Sequence, residues 1–407
     1  MNCPSAIRLA VAATFVATMA GIAAYEVPVA RMAFGMGRRT PVKKRIAAVQ
    51  RTCAEEMPLR FGFVTLNGYF VRALGQRKCN DVYLSETGIV FKPNGRKLEL
   101  TQNVVKMRDF AAACSKWGVR FLYVQLSKKM DMENRMCPPG IEDKSHDNAL
   151  SLLDGLADAG VPHADWRQHF ALTPEDVRRN FFKTDHHWNN EAAFRAAGLM
   201  LEEIGKRCDV GGEVLEDARK LLDRKIWKKR KLPDFYLGSD GRRTGVGFAG
   251  LDDLAILRPK FKTDMTVSVP KQKLTRRGSF EKTVMAGVKR IRPGNLKDDE
   301  NAKIYLGIGA RKPLVRYYNP KAPLALKVVC LGDSFSRTMT AFLSVAVRDL
   351  TVIDPRRTAR AFSIADYVRR NKPAIVVQAL NPSSLIARKF KDGIKGERVM
   401  FQYGSLP

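Results

Sequence analysis

Apolar and polar residues alternate in blocks along the chain, and these blocks predict helices and strands in turn. Helical spacing of apolar residues predicts helices in "KLELTQNVVKMRDFAAACSKWG" and "NALSLLDGLADAG". The first is followed by "VRFLYVQL", which predicts a buried strand, and the second by "VPHADW", which predicts a short strand. Three further apolar, β-branched runs lie toward the C-terminus: "LALKVVCLGD", "LTVIDP" and "PAIVVQAL". Apolar strands that alternate with helices predict an α/β fold, in which helices cover both faces of a parallel sheet.

This pattern weakens between residues 210 and 320, where basic residues are frequent. The stretch "RKIWKKRK" places six basic residues within residues 224–231. We interpret residues 210–320 as a basic insertion or long loop set on the sheet, and a solvated variable loop is its simplest form. The α/β domain is predicted to span residues 76–395, with this insertion inside it and a tail over residues 396–407.

An apolar run occupies residues 9–25, directly after Arg8. Its length and the small residues of "AGIAA" predict a signal peptide or an uncleaved membrane anchor over residues 1–25. Residues 26–75 are then a basic juxtamembrane segment, and the body is predicted to be periplasmic or in the cell envelope. The positive-inside rule would instead keep those basic residues inside the cell, so a cytoplasmic body on a reversed anchor stays open.

The net charge of the protein indicates which partners its surface attracts. The 407-residue chain has 71 Lys and Arg against 41 Asp and Glu, a formal net charge of +30. A cationic surface attracts polyanions such as nucleic acid, anionic glycan or anionic lipid. No nucleic-acid motif is recognisable, and the basic clusters lack interleaved aromatic residues for stacking on bases. We therefore predict no nucleic-acid partner.

Two adjacent histidines lie in "TDHHW", just before a predicted helix for which Asn189 or Asn190 is the N-cap. Neighbouring side chains in an extended turn point to opposite sides, so His186 and His187 are not expected to face one target. Asp185 and His187 lie two residues apart and can face the same side. A carboxylate that orients an imidazole is half of a nucleophilic triad. It is also an ordinary surface hydrogen bond, so a nucleophile elsewhere must decide.

Two histidines beside an aspartate also raise the possibility of a metal site. No further histidine or cysteine lies nearby with the spacing of metal ligands, and the seven cysteines contain no CxxC pair. We therefore predict no metal and no cofactor.

A candidate nucleophile follows one of the predicted strands, in "LKVVCLGDSFSRTMTAFL". The strand leads through Gly332 and Asp333 into Ser334, and a helix follows. In a parallel sheet this places Ser334 at the carboxyl end of a strand, where α/β folds place their sites, and at a helix N-terminus that can stabilise an oxyanion. Gly332 permits a tight turn and the close approach of a substrate. The alternative is that Ser334 only caps the helix.

Together, the two blocks resemble a known family. "TDHHW" and "GDSFS" match the Asp-x-His-Trp and serine blocks of the SGNH-hydrolase-like alginate and exopolysaccharide O-acetyltransferases of the AlgX/AlgJ type, in that family's order. "GLDDLAIL" and "PAIVVQAL" are similar to its Asp-Leu segment and its final strand. The resemblance covers roughly residues 80–390 and implies an SGNH-hydrolase-like parallel sheet with flanking helices.

The resemblance also implies roles for individual residues. Ser334 would be the nucleophile, His187 the base and Asp185 the residue that orients it. Trp188 is carried over as an aromatic residue that shapes the substrate site.

Other residues are candidates by position. Gln125 and Gln378 end predicted strands, so either is a candidate second oxyanion donor beside the backbone N–H of Ser334. Lys128 and Lys129 follow a strand and are interpreted as surface charge in preference to contacts with an anionic substrate.

The expected function is O-acetyl transfer, through a serine acyl-enzyme, onto hydroxyls of an exported or cell-surface polysaccharide. The resemblance implies that a separate membrane-bound acyltransferase supplies the acetyl group. A carbohydrate esterase with the same triad, and a non-catalytic glycan-binding protein, are the alternatives.

Overall fold

The computed structural model describes residues 60–285, 312–359, 361–385 and 399–405. The predicted signal or anchor segment, residues 1–25, lies outside these ranges. Among the described residues, none of the helices has the length and apolar character needed to cross a bilayer.

The described residues form helices and strands in alternation along most of the chain. The helices are α1 (Arg60–Ala73), α2 (Thr101–Lys116), α3 (Ser145–Asp158), α4 (Arg167–Ala171), α5 (Pro174–Asn180), α6 (Asn190–Arg207), α7 (Gly212–Leu221), α8 (Gly241–Thr244), α9 (Val246–Ala249), α10 (Phe280–Thr283), α11 (Ser334–Leu343) and α12 (Ile364–Asn371). The strands are β1 (Lys78–Cys79), β2 (Val82–Leu84), β3 (Val90–Phe91), β4 (Arg120–Gln125), β5 (His163–Asp165), β6 (Trp227–Tyr236), β7 (Asp252–Pro259), β8 (Met265–Val269), β9 (Leu274–Gly278), β10 (Leu314–Tyr318), β11 (Leu324–Gly332), β12 (Val347–Ile353) and β13 (Ile375–Leu380).

A large central sheet has eight of these strands in the order β5-β4-β13-β11-β12-β10-β8-β9. Adjacent strands are parallel within the series β5-β4-β13-β11-β12. The remaining three pairings, from β12 to β10, β8 and β9, are antiparallel. The predicted α/β fold is confirmed, but the sheet is mixed rather than wholly parallel, because β10, β8 and β9 add antiparallel pairings at one edge.

Helices cover both faces of the parallel strands, as the apolar runs predict. Successive residues of β11 alternate between two cores. Val328 and Cys330 face a core that contains apolar residues of α6 and α11. Val329 and Leu331 face a second core, with apolar residues of α2 and α3. Burial on both faces is the reason that this strand has a continuous apolar run.

The segment 210–320 is not a loop where it is described. It contains α7, β6, β7 and α10, and its strands β8, β9 and β10 extend the central sheet. Strands β6 and β7 form a separate antiparallel pair. The basic residues of β6 are largely solvent-exposed, and two of them form ion pairs, Lys229 with Glu191 (2.8 Å) and Lys231 with Asp253 (2.6 Å). Since this strand buries few side chains, its sequence lacks the apolar pattern that predicts a strand.

Candidate active site

Ser334 is the first residue of α11, directly beyond the carboxyl end of β11. Asp333 caps this helix and accepts a hydrogen bond from Phe335 N–H (2.9 Å). The other oxygen of the same carboxylate accepts from Asn381 N–H (2.9 Å) and from the Ser384 hydroxyl (2.7 Å). Because Asp333 takes the capping role, the hydroxyl of Ser334 is not needed to start the helix.

Gly332, at the end of β11, lies against the side chain of Ser336. A Cβ at this position would lie 2.4 Å from both Cβ and Oγ of Ser336. The Ser336 hydroxyl in turn donates to the carbonyl of Ala379 on β13 (2.6 Å). The glycine therefore makes space for a side chain of the protein itself, and the close approach of a substrate to Gly332 stays a prediction.

The Asp-His block forms a tight loop between α5 and α6. Phe181 and Trp188 pair as an isolated antiparallel bridge at the base of this loop. Asn189 is the N-cap of α6, and its side chain accepts from Ala192 N–H (2.9 Å). The bridge and the cap fix where the loop leaves and re-enters regular structure.

The structure brings the three predicted triad residues together. Nε2 of His187 lies 2.7 Å from Oγ of Ser334, a residue 147 positions away in sequence. Nδ1 of the same ring lies 2.5 Å from Oδ1 of Asp185. The backbone N–H of His187 also donates to that oxygen (3.0 Å), and Ser239 N–H donates to Oδ2 (2.7 Å). The three side chains form one continuous hydrogen-bonded chain at the carboxyl edge of the sheet.

The electrostatics favour a charged Asp185, which is only 3% exposed. Burial alone would raise the pKa of this carboxyl. The charges of His186 and His187, together with the hydrogen bonds from His187 and Ser239, outweigh burial and hold the pKa of Asp185 well below its ordinary value. An ionised carboxylate at this position fixes the imidazole tautomer and stabilises the imidazolium that forms when His187 accepts a proton.

The prediction that His186 points away from His187 is wrong. The two ring centroids lie 3.8 Å apart, and Nδ1 of His186 is 2.6 Å from Oγ of Ser239. The same nitrogen lies 3.8 Å from Oδ1 of Asp185. The prediction assumed an extended backbone, whereas the loop bends at these residues and turns both rings to one side.

Asp185, His186 and His187 therefore place one potential metal ligand each within 4.8 Å of one another. Their hydrogen bonds limit this use: Oδ1 of Asp185 accepts from His187, and Nε2 of His187 faces Ser334. The geometry fits proton transfer to and from Ser334 without rearrangement, whereas a metal would have to displace these contacts.

The two glutamine candidates do not reach the site as donors. The amide of Gln125 donates to the carbonyls of Leu126 (3.0 Å) and Leu380 (2.9 Å). The amide of Gln378 donates to the carbonyl of Met400 (2.9 Å). Both side chains are fully buried, so the structure contradicts the prediction that either donates to an oxyanion.

Trp188, which was predicted to shape the substrate site, does not face a substrate. Its side chain is 2% exposed and packs between Phe170 and Phe335, with ring centroids 5.4 Å from each. The indole therefore supports the loop from inside the core and has no free face for a sugar.

The sequence did not predict which residues support the Asp-His loop, because they are distant from it along the chain. Lys128 and Lys129 are buried rather than on the surface, and Lys128 pairs with Asp143. Lys129 contacts the Asp-His loop, as do Asp252 and the segment that contains Ser239. Of these contacts to the loop, Lys129 had been interpreted as surface charge and Asp252 lay in "GLDDLAIL", whereas no sequence feature pointed to Ser239.

Comparison with known proteins agrees with this picture. Residues 83–230 match the family described as "SGNH hydrolase-like domain, acetyltransferase AlgX". This span contains the Asp-His block and ends before Ser334. No curated protein matches the sequence.

Solved structures share the fold at low sequence identity. Bacillus cereus PatB1 with a sulfonyl adduct is 18% identical, with a TM-score of 0.60, over 80% of this chain and 100% of that chain. A DHHW family protein from Eubacterium siraeum is 13% identical, with a TM-score of 0.52, over 76% of this chain and 94% of that chain. The chain thus shares the mixed α/β fold of these structures, and the match over residues 83–230 confirms the predicted resemblance to the SGNH-hydrolase-like acetyltransferases of the AlgX type.

Proposed function

We propose that this protein is an O-acetyltransferase that acetylates hydroxyl groups of a polysaccharide through an acyl-enzyme on Ser334. The observation that carries the proposal is the hydrogen-bonded chain from Ser334 through His187 to Asp185. The match of residues 83–230 to an acetyltransferase family supports the reaction class.

The first half-reaction loads the serine. Nε2 of His187 takes the hydroxyl proton while Oγ of Ser334 attacks the acetyl carbonyl carbon. The resulting intermediate collapses, the bond to the donor's leaving group breaks, and the imidazolium returns the proton to that group. Asp185 stays ionised throughout and holds Nδ1–H of the ring.

The second half-reaction unloads it. A sugar hydroxyl gives its proton to Nε2 of His187 and attacks the acyl carbonyl. The new ester forms, the bond from carbonyl carbon to Oγ of Ser334 breaks, and the serine is reprotonated. In both halves negative charge develops on the carbonyl oxygen, and the backbone N–H of Ser334 at the start of α11 is our candidate donor to it.

The cellular setting is part of the proposal. We infer an acceptor that is an exported or cell-surface polysaccharide, a membrane-bound acyltransferase as acetyl donor, and a periplasmic or envelope location set by residues 1–25. The domain division, with the catalytic domain over residues 76–395, belongs here as well. The net charge of +30 supports an acceptor of anionic character.

A carbohydrate esterase is the second candidate, because one observation favours it. The side chain of His187 is 27% exposed, so water can approach the base. Both reactions share the acyl-enzyme and differ only in whether water or a sugar hydroxyl accepts the acetyl group.

The test is to follow both products at once. An aryl acetate serves as donor, candidate envelope glycans serve as acceptors, and mass spectrometry detects acetylated oligosaccharide alongside free acetate. We expect glycan to divert acetyl from water to polymer, and Ser334→Ala to abolish both products, with activity that survives a strong chelator. Acetate as the sole product with every glycan, together with efficient deacetylation of acetylated polymer, would establish the esterase.

The acceptor surface has its own test. Lys228 and Arg230 are exposed on β6, and the double variant Lys228→Glu/Arg230→Glu should lower transfer more than background hydrolysis. The control is Arg276→Glu/Arg277→Glu on the edge strand β9, which makes the same charge change. Equal effects of the two double variants would mean that only the overall charge of the protein matters.

A further inference from the structure

The main chain that carries Asp185 is surrounded by charged side chains from distant parts of the chain. Lys129 is 3% exposed, and its ammonium group donates to the carbonyls of Lys183 (2.9 Å) and Asp185 (2.8 Å). The carboxylate of Asp240 lies 3.6 Å from the same nitrogen. One buried cation thus binds the loop on either side of Thr184.

The N–H groups of residues 183 and 184, and the hydroxyl and carbonyl of Thr184, are hydrogen-bonded as well. Asp252 accepts hydrogen bonds from Lys183 N–H and from the N–H and hydroxyl of Thr184 (2.8 and 2.5 Å). The carbonyl of Thr184 accepts from the N–H groups of Asp240 (3.0 Å) and Gly241 (2.8 Å). The backbone of residues 183 and 184, and the carbonyl of Asp185, therefore have their hydrogen bonds fixed by other segments.

Stability alone is a poor reason for such a set of buried charges. Moving an ammonium and two carboxylates out of water is costly, and apolar residues of similar size commonly stabilise a protein as well or better. What the charges provide is direction, because each hydrogen bond restricts the backbone that aims the Asp185 side chain at His187. The His187 backbone N–H is a local contact to the same carboxylate, but it moves with the loop.

We propose that Lys129, held by Asp240, is a positioning residue that keeps the carboxylate of Asp185 in line with His187. This deepens the proposed function and rests on it. Lys129 touches no reacting atom; it acts through the Asp185 carbonyl and the backbone of the loop. Residues that orient the ligands of metal sites typically contribute about 10–100-fold to activity, and we expect an effect of that order for Lys129.

The first experiment compares two neighbouring buried lysines. In Lys129→Met we expect kcat for an aryl acetate to fall about 10–100-fold, with KM changed less than about twofold. The matched control is Lys128→Met, since Lys128 is also buried but pairs with Asp143 and Ser145 and does not contact the loop. The control should lose stability but keep kcat within about threefold. A fall of the same size in both variants would overturn the proposal.

The second experiment asks whether Lys129 acts through Asp185. Lys129→Met is made again in an Asp185→Asn background, where there is no carboxylate to align. We expect it to cost less than about threefold there, because the two residues act as a unit. A full additional loss in that background would show that the lysine has a merely structural role.

A spectroscopic measurement keeps the proposal testable without any activity. The proton on Nδ1 of His187, in a hydrogen bond whose Nδ1–Oδ1 distance to Asp185 is 2.5 Å, should give a far-downfield proton NMR signal. We expect the signal in the wild type and in Lys128→Met, and its loss in Lys129→Met. If Lys129→Met does not fold, Asp240→Asn replaces it, because this change leaves the Asp240 N–H contact with Thr184 in place. An unchanged signal in the folded variant would overturn the proposal, whereas a wild type that shows the signal but has no Ser334-dependent acyl transfer would overturn only the proposed function.

Discussion

The two halves of the candidate site are held in place in different ways. Ser334 lies within regular structure: β11 ends, Asp333 caps α11, and the helix begins. The carboxylate of Asp333 also accepts hydrogen bonds from Asn381 and Ser384, about 50 residues away. The Asp185–His187 half lies on a short loop whose backbone is bound by Lys129, Asp240 and Asp252, from segments about 55 to 70 residues away. The nucleophile thus lies at the junction of a strand and a helix, whereas the base and its carboxylate lie on a loop whose backbone is held by long-range contacts.

This difference predicts where each half is sensitive. A change at Gly332 should be repaired by a compensating change at Ser336, because the atoms nearest to an added Cβ belong to the Ser336 side chain. Changes around the Asp-His loop should be harder to repair, because the contacts are to its backbone. Variants in each half of the site test this contrast.

Removing the reacting groups should have the largest effect. Ser334→Ala should lower acyl transfer by at least about 10⁴-fold, and Asp185→Asn by about 10³- to 10⁴-fold, because the amide neither fixes the tautomer nor stabilises the imidazolium. Intact-protein mass spectrometry after incubation with an aryl acetate should detect acetylated enzyme in the wild type but not in Ser334→Ala. Acetylation that persists in Ser334→Ala would place the nucleophile elsewhere.

Two glycines, one in each half, sharpen the comparison. A Cβ on Gly238 would lie 2.1 Å from Cβ and 2.4 Å from Cα of Asp185, so Gly238→Ala must shift the loop backbone and should lower kcat about 10²-fold. A Cβ on Gly332 would meet the Ser336 side chain, which can be removed. We expect Gly332→Ala/Ser336→Gly to recover activity to within about threefold of Ser336→Gly alone. Steady-state kinetics on Gly238→Ala, Gly332→Ala, Ser336→Gly and the Gly332→Ala/Ser336→Gly double variant decides this, and failure of that recovery would contradict the local repair expected at Gly332.

His186 should have a smaller effect. Its ring packs on that of His187, and such ring pairs contribute about 0.5–1.5 kcal/mol, which is about two- to tenfold in rate. We therefore expect His186→Gln to reduce kcat by less than about tenfold while Ser334 is still acetylated. A loss as large as that of Asp185→Asn would instead identify His186 as a participant in the proton transfer.

The smallest effect concerns stability and pH. The pKa of Asp185 is lowered in the folded protein, so its ionised form stabilises the fold at pH values above the unfolded pKa of about 3.9. This stabilisation is lost as the pH falls through the lower folded pKa. The difference in free energy of unfolding between wild type and Asp185→Asn should therefore stay constant near neutral pH and move in favour of the variant in acid. Chemical denaturation at pH 7 and pH 3 measures it, and a shift in favour of the wild type in acid would contradict the stated sign.

The sequence predicted the parallel core of the sheet because its strands are buried on both faces and leave continuous apolar runs. It did not predict that residues 210–320 supply sheet strands, since β6 and β9 are largely exposed and carry basic side chains. The sequence also led to wrong positions for the side chains of Gln125, Gln378 and Trp188, because it does not show which of them the fold buries. Their positions at strand ends or beside a catalytic motif suggested substrate contacts, whereas packing turned all three into the interior.

What the sequence determined by itself is the chemistry available and its local framing: a serine between a strand and a helix, and an aspartate two residues before a histidine. Those features follow from short-range rules of strand ends, helix caps and residue spacing. Tertiary structure alone decided that Ser334 and His187 meet at 2.7 Å, that both histidine rings turn to one side, and that Lys129 is buried beneath the loop. The reason is physical: hydrogen bonds to backbone groups require no particular sequence at the acceptor, so the partners of a loop are set by how the chain folds back on it.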